Sequence, residues 1–115
     1  VTLQITYKTE KLQRLCKDPK YKKELIRKYG VEVAQKLPQR IQELEAFVCL
    51  NDVPVTPPFR RHKLQGTFEN YFAININEQY RLLFQQKSRN NIITNLKEIK
   101  EIEIMEVSKH YEKGK

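Results

Sequence analysis

Residues 71–84 read Tyr71-Phe72-Ala73-Ile74-Asn75-Ile76-Asn77-Glu78-Gln79-Tyr80-Arg81-Leu82-Leu83-Phe84. Phe72, Ile74 and Ile76 fall on every second position, the period of a strand with one buried face. Asn77-Glu78 breaks the pattern and reads as a hairpin turn, a weaker signal than Asn-Gly. Tyr80, Leu82 and Phe84 then resume the period, with Arg81 on the opposite face. This hairpin sets the reading of its neighbours. Arg61 to Leu64 is a short strand before it, and Ile99 to Val107 is a last strand after it. Gln86 to Glu98 is mostly polar and reads as a long loop or a frayed hairpin tip, with Ile92, Ile93 and Leu96 as apolar exceptions.

Upstream the period changes. Leu3, Ile5 and Tyr7 alternate as in a half-buried strand, and Leu12 and Leu15 mark a short helix or turn. Asp18-Pro19 supplies an N-cap and a proline at the first helical position. That helix should run to Tyr29 with Tyr21, Leu25, Ile26 and Tyr29 inward, and Gly30 should cap it. Val33, Leu37, Ile41, Leu44 and Val48 then recur at steps of three and four, a second helix within Val31 to Leu50. Pro38 lacks an N–H and crowds the preceding turn, so a kink or break is expected there. Asn51 to Pro58 holds three of the five prolines and is the linker between the helical half and the strand half. The order predicts a two-layer α+β fold, with the N-terminal strand and a helical hairpin on one face of an antiparallel sheet.

The 115 residues fit a single domain spanning 1–115, with residues 111–115 as a frayed tail. The chain is 39% hydrophobic and 31% charged, with six Tyr and five Phe, a composition that folds. No segment approaches the roughly 20 apolar residues of a membrane span. Val1 to Tyr7 is too short and polar for a signal peptide, so a cytoplasmic location is expected. Cys16 and Cys49 are far apart and read as reduced, buried thiols. A net charge of +8 favours phosphate-bearing partners without choosing among nucleic acid, acidic protein and lipid.

No P-loop, dinucleotide fingerprint, zincin motif or nucleophile elbow is present. An enzyme built from this chain is expected to work without metal or cofactor. Three places could carry chemistry: Arg60-Arg61-His62-Lys63 at the start of the sheet half, Arg81 in an otherwise apolar strand, and Lys109-His110-Tyr111 after the last strand. Taken singly each has a plainer explanation. A basic tetrad protects a sheet edge, a strand arginine faces solvent or a carboxylate, and a terminal His-Tyr packs or is exposed. Taken together they suit RNA cleavage. Consecutive antiparallel strands are usually neighbours, so His62, Arg81 and His110 could converge on one face. The ribose 2′-OH must lose a proton as it attacks phosphorus, and the leaving 5′-oxygen must gain one. Histidine can act as base or acid. Arginine forks onto phosphate, and Tyr111 could stack on a base or donate a proton.

The run His62-Lys63-Leu64-Gln65-Gly66, then Tyr71-Phe72-Ala73-Ile74, then Tyr80-Arg81-Leu82-Leu83-Phe84, then Ile102 to Val107 leading into Lys109-His110-Tyr111, resembles the HigB and YoeB-like toxins of the RelE superfamily. The resemblance spans most of the chain and rests on the order and spacing of three short motifs. It implies a RelE-like fold and the toxin half of a type II toxin–antitoxin pair. It implies metal-independent cleavage of mRNA, commonly in the ribosomal A site, and a cognate antitoxin that is helix-turn-helix or acidic. His62, Arg81, His110 and Tyr111 would be catalytic, and Arg60, Arg61, Lys63 and Lys109 would hold RNA. Some members carry Lys where this chain has Gln65, so one phosphate-contacting cation is absent from that position. A non-catalytic RNA- or ribosome-binding module is the alternative, and a basic protein–protein adaptor is a third.

Overall fold

A computed structural model describes residues 2–66, 70–87 and 92–109. The hairpin read from residues 71–84 is β3 (Tyr71–Asn75) and β4 (Tyr80–Gln86), paired antiparallel with Ile74 opposite Leu82. On one side β3 meets a two-residue strand, β2 (His62–Lys63). On the other side β4 meets β5 (Glu101–Lys109), antiparallel. The N-terminal strand β1 (Gln4–Tyr7) joins β5 in parallel, giving the order β1-β5-β4-β3-β2. The sheet is therefore mixed, where an antiparallel one was expected. The helices between β1 and the rest act as a crossover, which lets β1 lie parallel to the last strand.

The helices are α1 (Glu10–Lys17), α2 (Lys22–Tyr29) and α3 (Val31–Ala46). Asp18 caps a single 3₁₀ turn, Pro19–Tyr21, that leads into α2. Gly30 ends α2 with φ 97, a left-handed conformation that a Cβ would strain, and its N–H bonds the Ile26 carbonyl. Pro38 does not break α3, contrary to expectation. Val33, Leu37, Ile41 and Leu44 flank it and are at most 1% exposed, so burial of the stripe outweighs one missing backbone bond. The stripe stops earlier than its spacing suggests. Phe47 turns to extended backbone, leaving Val48 51% exposed. Ile26, expected inward, is likewise exposed. Phe47 takes the inward place, its ring edge-on to Phe59 at 5.6 Å.

The core lies between the helices and one face of the sheet. Leu15, Leu25, Leu37, Ile41 and Leu44 meet Phe72, Ile74, Leu82, Phe84, Ile102 and Ile104 there. Cys16 is buried and free, and burial pushes its thiol pKa up to about 12. Cys49 is also buried and free. Ile93 is tied back to the end of β4 by one side chain. The Gln86 amide donates to the Ile93 carbonyl and accepts from the Ile93 N–H, both at 2.8 Å, which brings Ile93 and Leu96 against the core. No described helix is long and apolar enough to cross a membrane.

One charged residue sits inside the apolar stripe of α3. Arg40 is 6% exposed. Its Nε donates to the Asn75 carbonyl at 3.0 Å, its Nη1 to Glu43 at 2.9 Å, and its guanidinium lies 5.3 Å from the Phe59 ring centre. It fastens the helix layer to the end of β3. Replacing it with Ala removes all three contacts and leaves a carbonyl without its donor. Arg40→Ala should lower stability by about 2–4 kcal/mol, read as a fall in the urea midpoint at unchanged slope.

Candidate nucleic-acid interface

Strand alternation sorts the candidate residues between two faces. Phe72, Ile74, Leu82 and Phe84 point to the helices. Ala73, Asn75, Arg81 and Leu83 therefore point to the other face. His62 pairs with Ala73 across β2 and β3, so it shares that face. Two rows run across the sheet in register. His62, Ala73 and Leu83 form one row, and Asn75, Arg81 and Ser108 form the next. Ala73 and Leu83, between the imidazole and the guanidinium, are at most 1% exposed. Two strand spacings separate β2 from β4, so the His62 and Arg81 backbones lie roughly 12 Å apart along the diagonal.

The turn before β2 fixes the histidine. Arg60 adopts φ 49, and its carbonyl lies 2.8 Å from His62 Nδ1. A carbonyl only accepts, so Nδ1 carries the proton on the neutral ring and Nε2 keeps a free lone pair. His62 is exposed.

Arg81 is half-buried, and its Nε is buried without a hydrogen-bond partner. Beside it on β3, Asn75 Oδ1 is buried and also without a partner. A buried polar group left unpaired costs about 1–3 kcal/mol, and these two lie side by side on the hairpin.

The remaining candidates divide. Arg60 is exposed. Lys63 pairs with Phe72 and so projects to the helix side of the sheet, as does Lys109, which pairs with Tyr80. Arg61 Nε donates to the Val53 carbonyl at 2.8 Å, and desolvation lowers its pKa. A cavity of about 360 Å³ lies at this end of the sheet, among Arg61, Lys63, Phe72, Gln86, Ile93 and Leu96. It does not include His62 or Arg81. Gln65 is exposed. His110 and Tyr111 lie outside the described residues. Among the described residues no group of three or more His, Cys, Asp or Glu is placed to hold a metal ion.

Sequence reasoning missed Asn75 and Arg40. Asn75 reads as an ordinary outward strand residue, and only its unbonded amide singles it out. Arg40 had a signal: it is the position before Ile41, next to the buried stripe of α3.

The comparisons with known proteins agree with this architecture. Residues 5–98 match the family model described as HigB-like toxin, the RelE-like toxin of the type II toxin–antitoxin system HigB. Among solved structures, the YoeB/ParE toxin of Agrobacterium tumefaciens is 13% identical, with a TM-score of 0.51 over 95% of this chain and 100% of that one. A conserved protein of Helicobacter pylori, solved in solution, is 16% identical, with a TM-score of 0.53 over 95% of this chain and 96% of that one. The YoeB–YefM complex of Staphylococcus aureus contains a chain 17% identical, with a TM-score of 0.51 over 96% of this chain and 100% of that one. At such identities these structures share the fold. No curated protein sequence matches significantly.

The His62 geometry is open to measurement. Long-range ¹⁵N–¹H correlation on the neutral ring should show Nδ1 protonated and Nε2 bare. The reverse tautomer would contradict the bond to Arg60.

Proposed function

The chain belongs to the HigB-like branch of the RelE-like toxins of type II toxin–antitoxin systems, and on that premise we propose that it is an endoribonuclease that cuts messenger RNA across the helix-free face of its sheet. The observation that carries the reading is His62 and Arg81 on one face of the sheet, with the Nε2 lone pair of His62 uncommitted and Arg81 Nε without a hydrogen-bond partner.

The chemistry follows from those two groups. A scissile phosphodiester lies between them. The adjacent 2′-OH gives its proton to a base as its oxygen attacks phosphorus, and His62 Nε2 is an acceptor of the right kind. Arg81 donates to the equatorial phosphate oxygens as negative charge gathers there. The leaving 5′-oxygen takes a proton from a second carrier, a role the family resemblance assigns to His110, with Tyr111 stacking on a base or donating a proton. In an alternative division of labour, His110 is the base and His62 the acid or a phosphate ligand. Positioning and charge stabilisation supply the rate, and no step calls for a metal. The products are a 2′,3′-cyclic phosphate and a 5′-hydroxyl.

Arg60, Arg61, Lys63 and Lys109 lie on both sides of the sheet. They hold the RNA backbone where it passes round the β2 edge and the end of β5. The substrate is message on the ribosome, which puts the activity in the cytoplasm. The Staphylococcus aureus YoeB was solved in complex with YefM, and by the same logic this chain is held inactive by a cognate antitoxin, a helix-turn-helix or acidic protein.

Arg81→Ala should abolish growth arrest on expression and lower cleavage at least about 100-fold, by loss of transition-state stabilisation, with the fold intact by circular dichroism. A folded Arg81→Ala protein that remains fully toxic contradicts the reading. Binding of RNA by the wild type with no new RNA ends would instead make the chain a binding module.

A further inference from the structure

Asn75 and Arg81 are neighbours of a particular kind. The Asn75 N–H bonds the Phe59 carbonyl at 2.7 Å, and its own carbonyl accepts from Arg40 Nε at 3.0 Å. Both backbone groups thus turn away from β4. Asn75 and Arg81, in register, therefore form a non-hydrogen-bonded pair, the kind in which opposed side chains come closest, with Cα atoms about 4.5 Å apart. On this pair sit one buried donor, Arg81 Nε, and one buried acceptor, Asn75 Oδ1, each without a partner. They are complementary, a donor and an acceptor on directly opposed residues.

Ser108 Oγ, Gln85 Oε1 and the exposed Glu106 carboxylate are the other acceptors on this face, and Asn75 Oδ1 differs from them in being buried without a partner. Ser108, opposite it on β5, donates its hydroxyl proton to the Lys109 carbonyl at 3.4 Å. Gln85, four residues along β4, donates through its amide nitrogen to Glu103 and to Met105 Sδ. Asn75 cannot drift away, because Arg40 and Phe59 clamp its backbone.

We propose that Asn75 is the positioning residue for Arg81: its Oδ1 takes the Nε–H when substrate phosphate engages the guanidinium. The Nε–H is one of the five donors of the fork. Anchoring it on the sheet leaves the two Nη groups aimed outward, as a planar pair that meets two phosphate oxygens. In the free protein the bond is unmade. The phosphate and Asn75 act on opposite ends of the same group, so each favours the other. Asn75 touches neither phosphate nor ribose. This assignment rests on the RNA-cleaving reading for its consequence, while the Nε–H bond itself can be observed without any cleavage.

The test uses ¹⁵N-labelled protein and an RNA oligonucleotide with a 2′-deoxyribose at the cut position, which binds but does not react. Arg81 Nε–H should be visible and slow to exchange in the wild-type complex, and should exchange at least ten-fold faster in Asn75→Ala. Asn75→Asp keeps an acceptor oxygen and should restore the slow exchange. In cleavage, Asn75→Ala should lower kcat about ten-fold with KM changed less than two-fold, because the bond orients a group that acts on the transition state. A purely structural role would instead lower the melting temperature and the active fraction while leaving kcat per active molecule unchanged. An Nε–H that exchanges at the free-arginine rate in the wild-type complex overturns the proposal, whatever the variants do. Loss of cleavage in Arg81→Ala together with unchanged kcat in Asn75→Ala refutes the role of Asn75 and leaves the nuclease standing. Slow Nε–H exchange in a protein that cuts no RNA does the opposite.

Discussion

The register between β3 and β4 is the constraint on which everything else depends. Side chains alternate with a period of two, so a slip of one residue would send every apolar group of the hairpin to the wrong face. Phe72, Ile74, Leu82 and Phe84 must be sealed against the helices, and all four are at most 6% exposed. Phe72 and Phe84 are opposed in register, their rings stacked 5.9 Å apart. Once these four are inside, Ala73, Asn75, Arg81 and Leu83 have no other place than the far face. The core thus positions the site. A cation and an amide are displayed because the residues beside them are buried.

The same economy appears at the edges. The hairpin loop is tied by Asn77, whose side chain accepts from the Gln79 and Tyr80 N–H groups and donates to Glu32 on α3. That hydrogen bond, with Lys36 beside it, holds the Glu32 carboxyl below its usual pKa. Arg40 ties the next residue pair to α3 from within the core. The hairpin end of β3 is therefore tied to the helix layer twice, and β2 is carried along by its pairing with β3. Preorganisation of this kind is what a site built on electrostatics requires, because a group that must first be found and turned stabilises a transition state less.

Much of this was legible in the sequence. The alternation in residues 71–84 placed Arg81 opposite the core, and the order of elements implied that His62 and Arg81 would lie on one sheet. Three features were not legible, each for a physical reason. The parallel pairing of β1 with β5 depends on where a crossover of three helices ends, which no local pattern encodes. The continuity of α3 through Pro38 depends on tertiary burial, which overrides propensity. The lone pair of His62 depends on the φ of Arg60, and nothing in Arg60-Arg61-His62-Lys63 announces a left-handed residue. The split of the cations was half legible. Alternation separates Lys63 from His62 once β2 is regular, and β2 turned out to be two residues long.

The account stands on one face of the sheet being the RNA surface, and neighbouring residues report it separately. Leu82 and Leu83 are adjacent in sequence and lie on opposite faces. With methyl-labelled protein titrated with the 2′-deoxy-substituted RNA, the methyl signals of Ala73 and Leu83 should shift, while those of Leu82 and Ile74 should stay. Shifts confined to the helix side, or to Ile92 and Ile93 beside the cavity on that side, would contradict the account.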